Sequence, residues 1–390
     1  MIALMILAAA AADPARVPDA VAAGLKNILA VGREGTGNEA AAEGWKAVTS
    51  AGPAALIPAL TAFDTADATA ANWLRTAADG IAGDAKRAGQ PLDPKTLLAF
   101  AADQGRSPAA RRIAFELGRE RDAAAADALL LTFIHDKSLD LRRDAIAARL
   151  KSAKDAAEYT TLFEASRDPD QAEEVAKLLR KAGQPADLTR HYGLITEWQI
   201  IGPFPSVGGK GFGEVYPPEK KFDPALTGEG HGGIKTKVVA VQAATPDADV
   251  NLNETVGKVQ DVVGYAYAVV VSPAAQAAEV RVSSPNAVQI FLNGERIFSR
   301  EAYHAGSPRD GHVGRGTLKA GRNELLIKVA QNNMSPPWAK AWNFSARVCD
   351  ATGGKLNVTQ VVPGPGGETS VPLGRLKPAA KPAPETKGEN

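Results

Sequence analysis

The stretch Glu197-Trp198-Gln199-Ile200-Ile201-Gly202-Pro203-Phe204-Pro205 decides how this 390-residue chain is read. Upstream of it, alanine-rich segments carry apolar residues three and four positions apart, the spacing of a helix face. Downstream, Val, Ile, Tyr and Phe recur in short runs bounded by Gly, Pro, Asn or Asp, as strands and turns do. A chain that changes period once is expected to hold two modules, α first and then β: a helical solenoid followed by an antiparallel β-sandwich with jelly-roll topology. At this length each module can bury its own core. Trp198 is expected to be buried where the helical module meets the sheet.

Composition narrows the function classes. The 45 basic residues nearly balance the 44 acidic ones, for a formal net charge of +1. Nucleic-acid binding needs clustered excess cation to displace counterions, so it is not expected. The single cysteine, Cys349, rules out an internal disulfide and any Cys-based zinc site, and its surroundings predict a buried strand thiol. Met1 to Ala12 is apolar, ends in alanines and is too short to span a bilayer; it fits a secretory signal or, since no Lys or Arg precedes the apolar core, the first helix of the fold. Gly364 to Asn390, rich in Pro, Gly, Lys and Glu, reads as a disordered tail. The domain expectation is therefore a signal at 1–12, a helical domain at 17–188, a sandwich at 194–350 and a tail at 364–390.

In the helical half, Ser107-Pro108 reads as a helix start, with Ser107 able to cap and Pro108 in the first turn. Leu139, Ile146 and Leu150 predict a buried stripe, with Arg142, Arg143 and Asp144 turned to solvent. The segment Asp136-Lys137-Ser138-Leu139-Asp140-Leu141-Arg142-Arg143-Asp144-Ala145-Ile146 resembles the second-helix signature of HEAT repeats. Ala109-Ala110-Arg111-Arg112-Ile113-Ala114 is a second, weaker match. That resemblance covers about Pro94 to Lys181. It implies a curved scaffold that binds a protein partner, with no catalytic residues to carry over.

In the strand half, Val288, Ile290 and Leu292 alternate with Gln289, Phe291 and Asn293, predicting a sheet with one core-facing side. Asn293-Gly294 supplies a tight hairpin turn. Trp198–Phe204, Val215–Lys220, Gly264–Ala268, Val288–Gly294, Leu318–Asn323 and Trp342–Phe344, taken in order, resemble the galactose-binding-like jelly rolls of exported planctomycete proteins. The resemblance covers about Thr196 to Val348, and relatives of that fold include carbohydrate-binding modules. One departure is visible: the usual Asp-Asp-Gly before the central strand is replaced by Ser284-Pro285-Asn286-Ala287. Losing two carboxylates there argues against a calcium site at that turn.

Candidate ligand contacts lie in two loops. Trp338, in Met334–Trp342, offers a ring on which a pyranose face can stack, and Asn332, Asn333, Arg309 and His304 could take its hydroxyls. Trp342 is expected to plug the core. His304, Arg309, Asp310 and His312 are read as solvated loop polarity rather than a metal site, and Gly208–Gly213 as a flexible connection rather than a phosphate loop. No Gly-x-Ser-x-Gly elbow or His-Glu-x-x-His pair is present. The expectation is an exported, non-catalytic protein with no cofactor and no metal, binding glycan or cell-envelope material. The alternative is a structural scaffold making only protein–protein contacts.

Overall fold

The computed structural model describes residues 17–334, 336–364 and 367–376. The expected signal at 1–12 and the end of the expected tail, 377–390, lie outside them. The chain forms helices first and antiparallel sheets second, and it divides into two compact units, one up to Lys154 and one from Asp155.

The first unit holds eight helices among its described residues: α1 (Asp19–Leu29), α2 (Asn38–Ser50), α3 (Leu56–Ala62), α4 (Ala68–Arg87), α5 (Pro94–Ala102), α6 (Pro108–Arg119), α7 (Ala123–Leu130) and α8 (Leu139–Leu150). Aspartates cap several of them: Asp67, Asp93 and Asp122 each accept a backbone N–H from the first turn that follows. Ser107 makes no side-chain cap; its own N–H donates to Asp64 Oδ1 at 2.7 Å. Where α1 crosses α2, Gly24 and Gly44 meet backbone to backbone. A Cβ on Gly24 would lie 2.7 Å from the Gly44 carbonyl oxygen, so neither position has room for a side chain.

A buried ion pair ties this unit together. Arg111 and Asp136 are both fully buried and joined by two hydrogen bonds of 2.7 and 2.6 Å. Arg111 Nε also donates to the Ala101 carbonyl at the end of α5. Asp136 Oδ1 accepts the Ser138 N–H at the start of α8. The stripe expected on α8 holds at Ile146, which is fully buried, and fails at its start. Leu139 is exposed, whereas Arg142 is buried and donates to the carbonyls of Asp136 and His135. Apolar periodicity missed this because two guanidinium nitrogens donate to carbonyls of the preceding turn, which lets a charged side chain be buried.

The second unit begins with three more helices, α9 (Ala156–Ala165), α10 (Pro169–Lys181) and α11 (Leu188–Tyr192), which belong with the sandwich. Ala172, Tyr192 and Leu194 pack with Ala243 and Ala248, and Thr189 Oγ1 donates to the Pro246 carbonyl at 2.6 Å. The larger sheet runs β2 (Thr227–Gly228), β3 (Thr236–Gln242), β1 (Glu197–Pro205), β5 (Val262–Ser272), β10 (Gly321–Gln331), β7 (Ala287–Leu292) and β8 (Glu295–Arg300). A hairpin of β12 (Thr359–Gly364) and β13 (Gly367–Pro372) joins it on β5. The smaller sheet is β4 (Val250–Asn251), β11 (Asn343–Cys349), β6 (Gln276–Ser283) and β9 (His312–Leu318).

The core between the sheets includes Ile200, Val270, Ile290 and Ile327 from one side and Val280, Val282, Phe344 and Val348 from the other. Trp198 and Trp342 are buried in it. Trp198 stacks edge-on against Phe344 at 5.1 Å and donates to the Ile195 carbonyl. Its burial is thus supplied by the sandwich itself. Cys349 is a free, buried thiol whose pKa burial pushes up to about 11.

The larger sheet is covered on both faces: every residue of β7 is buried, and Phe204, Phe212, Tyr265, Tyr267 and Phe291 form a second apolar layer outside it. The Gly208–Gly213 segment supplies part of that cover through buried Phe212, whose carbonyl accepts from Gln289 Nε2 at 3.2 Å. Residues 367–372, placed in the tail by composition, are strand β13, and Leu373 after them is buried.

Candidate functional site

The loop between β10 and β11 is held at several points by polar side chains. Gln260 Nε2 donates to the Met334 carbonyl at 2.6 Å, Asn253 Nδ2 to Lys340 O at 2.9 Å and Asn286 Nδ2 to Ala341 O at 3.0 Å. Trp342 Nε1 donates to Val329 O. Between these ties, Pro337–Lys340 makes a single 3₁₀ turn with Ala339 fully buried. Pinning Ala339 inward leaves the preceding residue facing out, and Trp338 is 67% exposed.

The neutral replacement of the Asp-Asp-Gly turn has a role in this tethering. Ser284 Oγ donates to Asn343 O at 2.7 Å, and Asn286 Oδ1 accepts the Asn343 N–H. Both side chains are buried and committed to backbone of the Trp338 loop, which suits a structural tie better than a cation.

The second loop, between β8 and β9, brings His304 to Trp338. Their rings meet edge to face, with centroids 5.5 Å apart. His304 Nε2 lies 2.8 Å from Asn332 Oδ1; because a carboxamide oxygen only accepts, Nε2 carries the proton in this contact. His304 adopts φ 58° and its N–H donates to Pro285 O at 2.7 Å. A non-glycine residue held in the left-handed region costs about 1–2 kcal/mol and is found most often where position matters. Next to it Tyr303 is half-buried, and burial, reinforced by Glu301 and Asp261, raises its pKa to about 12. The rim thus offers one exposed indole with an imidazole edge-on to it, and a carboxamide and a phenol next to that imidazole.

Of the five residues expected to form this site, Trp338, His304 and Asn332 come together. Asn333 is exposed on the same loop. Arg309 does not join them: its Nη2 donates to Asp247 at 2.6 Å and its guanidinium stacks over Tyr192 at 4.7 Å. Asp310 and His312 leave the loop as well, and neither is solvated polarity. Asp310 accepts from Arg347 and Arg281, which hold its carboxyl below the usual range despite burial. His312 sits on β9 with Nε2 3.2 Å from Ser284 O, and burial lowers its pKa. Among the described residues, no cluster of three or more His, Cys, Asp or Glu could hold a metal ion.

No family model matches the chain, and no curated protein matches it. Among solved structures, it is similar to the β-glucosidase from Kluyveromyces marxianus in complex with glucose, with 15% identity and a TM-score of 0.24 over 40% of this chain. The match spans 16% of that enzyme. An anti-sigma factor domain-containing protein from Clostridium clariflavum aligns over 49% of each chain, with 11% identity and a TM-score of 0.22. Likenesses at this level establish neither a shared fold nor a shared activity. Among the described residues, no helix is long and apolar enough to cross a membrane.

Proposed function

We propose that this chain is an exported, non-catalytic binding protein whose sandwich, of galactose-binding-like type, holds carbohydrate or cell-envelope material at the Trp338 rim. The observation that carries this reading is the exposed Trp338 ring, fixed by buried Ala339 and flanked edge-on by strained His304. An exposed aromatic of this size is costly to leave in water and matches the apolar face of a pyranose, while Asn332, Asn333 and Tyr303 suit its hydroxyls.

The helical unit is read as a HEAT-like solenoid that docks a protein partner. The Arg111–Asp136 pair supports that reading, since it locks the Asp-containing turn on which the HEAT resemblance rests. Leu131 and Leu139, 44% and 42% exposed, are available to a partner.

A glycan and polysaccharide array probed with the full chain and with Trp338→Ala tests the sugar assignment. Retention on a defined glycan, weakened about tenfold or more by the substitution, is expected from losing one buried aromatic contact. Absence of retention on every glycan overturns it and favours the scaffold alternative.

A further inference from the structure

Within the second unit, α9, α11 and the segment after β11 enclose a cleft of about 540 Å³ that none of the foregoing uses. Arg167, Arg190 and Lys355 line it together with Phe163 and His191. We propose that this cleft binds an anionic saccharide unit, a uronate, with the carboxylate held by these three cations and the ring lying along Phe163 and His191.

The cations are placed by local structure. Arg167 Nη1 donates to the carbonyls of Glu164 and Ser166 at 2.8 and 2.9 Å, which fixes the guanidinium. Gly354 makes room for it: a Cβ there would sit 3.0 Å from Nε. Arg167 Nε is buried with no acceptor among the described residues. The stem of Lys355 crosses Gly193, where a Cβ would meet its Cγ at 2.7 Å, so the ammonium is held at the cleft. Arg190 comes from the exposed face of α11. None of the three forms an ion pair among the described residues; the Asp350 carboxylate lies close enough to Arg167 to offset part of its burial, so the free donors of the cleft are chiefly those of Arg190 and Lys355.

The remaining lining selects among anions. Phe163 and His191 lie with ring centroids 4.4 Å apart and planes tilted by 32°, giving an aromatic wall. His191 Nε2 lies 3.1 Å from Ser166 O, so it carries the proton and Nδ1 is an acceptor. Burial and the Arg167 charge lower the His191 pKa to about 4, which keeps the ring neutral at pH 7. Glu164 and Asp187 also line the cleft. Two carboxylates disfavour a compact dianion such as phosphate, yet they suit a ligand that carries one negative charge and several hydroxyl donors. This site stands independently of the Trp338 rim.

The test is calorimetric titration of the full chain, at constant ionic strength, with glucuronate, glucose and inorganic phosphate. Saturable glucuronate binding is expected, weakened at least about tenfold in Arg190→Ala/Lys355→Ala and unchanged in Trp338→Ala. Both replaced side chains are exposed, so the fold is retained. Three results would each overturn the proposal: no saturable glucuronate binding, equal binding by the double variant, or binding of phosphate or glucose as tight as that of glucuronate.

Discussion

Arg111 and Asp136 show how a single pair of residues can set the register of a helical stack. Both are removed from water, which is costly, and the cost is met only because each guanidinium and carboxylate position finds a partner. Removing one member strands the other. Arg111→Met is therefore expected to destabilise the helical unit by about 3–5 kcal/mol in urea denaturation, with Arg111→Met/Asp136→Asn less destabilised than the sum of the two single variants. Additive losses would show that the pair is not coupled. The sequence displayed Arg111 and Asp136 inside the HEAT-like segments but not their partnership, because 25 residues separate them. Trp338 was easier to place for the opposite reason: its exposure follows from the local chain, a tryptophan just after Pro336-Pro337 in a polar loop. Arg309 was misplaced since its neighbour Tyr192 comes from a helix far upstream in the chain.

At the scale of elements, most helices and strands were readable from caps, periodicity and turn residues, and the failures have specific causes. β9 escaped notice because Gly314 and Gly316 interrupt its apolar pattern. In the fold those glycines are required: a Cβ on either would lie 2.8 Å from Ile297 or Leu292. The β12–β13 hairpin hid in a Pro- and Gly-rich composition, yet Gln360 is fully buried and donates to Glu197 O, which fastens the hairpin to β1. Helix α11 carries a pH dependence. His191, with a pKa lowered to about 4, is favoured in its neutral form when folded, so its contribution is complete above the unfolded value of about 6.5. That contribution is lost as pH falls from about 6.5 to about 4, on the order of 3 kcal/mol in all. Urea midpoints measured across this range are expected to fall more steeply in the wild type than in His191→Gln. Parallel profiles would contradict a buried neutral His191.

At the scale of the whole molecule, the change of period at Trp198 marks the first strand of the sandwich, but the compact unit to which it belongs starts at Asp155. The boundary was not legible because α9–α11 look like the helices before them; what ties them to the sandwich is Tyr192, whose ring is in cation–π contact with Arg309 at 4.7 Å and Arg347 at 5.2 Å. A chain beginning at Thr196 is expected to melt at lower temperature than one beginning at Asp155, since it exposes those guanidinium faces and Ala243 and Ala248. Equal melting temperatures would mean the three helices add nothing to the sandwich. Sugar binding at the Trp338 rim can be read at the ring itself by ¹⁹F NMR of the full chain labelled with 5-fluorotryptophan, with the Trp338 signal assigned by its loss in Trp338→Phe. On addition of a polysaccharide that retains the protein, the Trp338 resonance should shift while the buried Trp198 and Trp342 stay in place. A Trp338 signal that does not move while the polysaccharide is bound would contradict the claim.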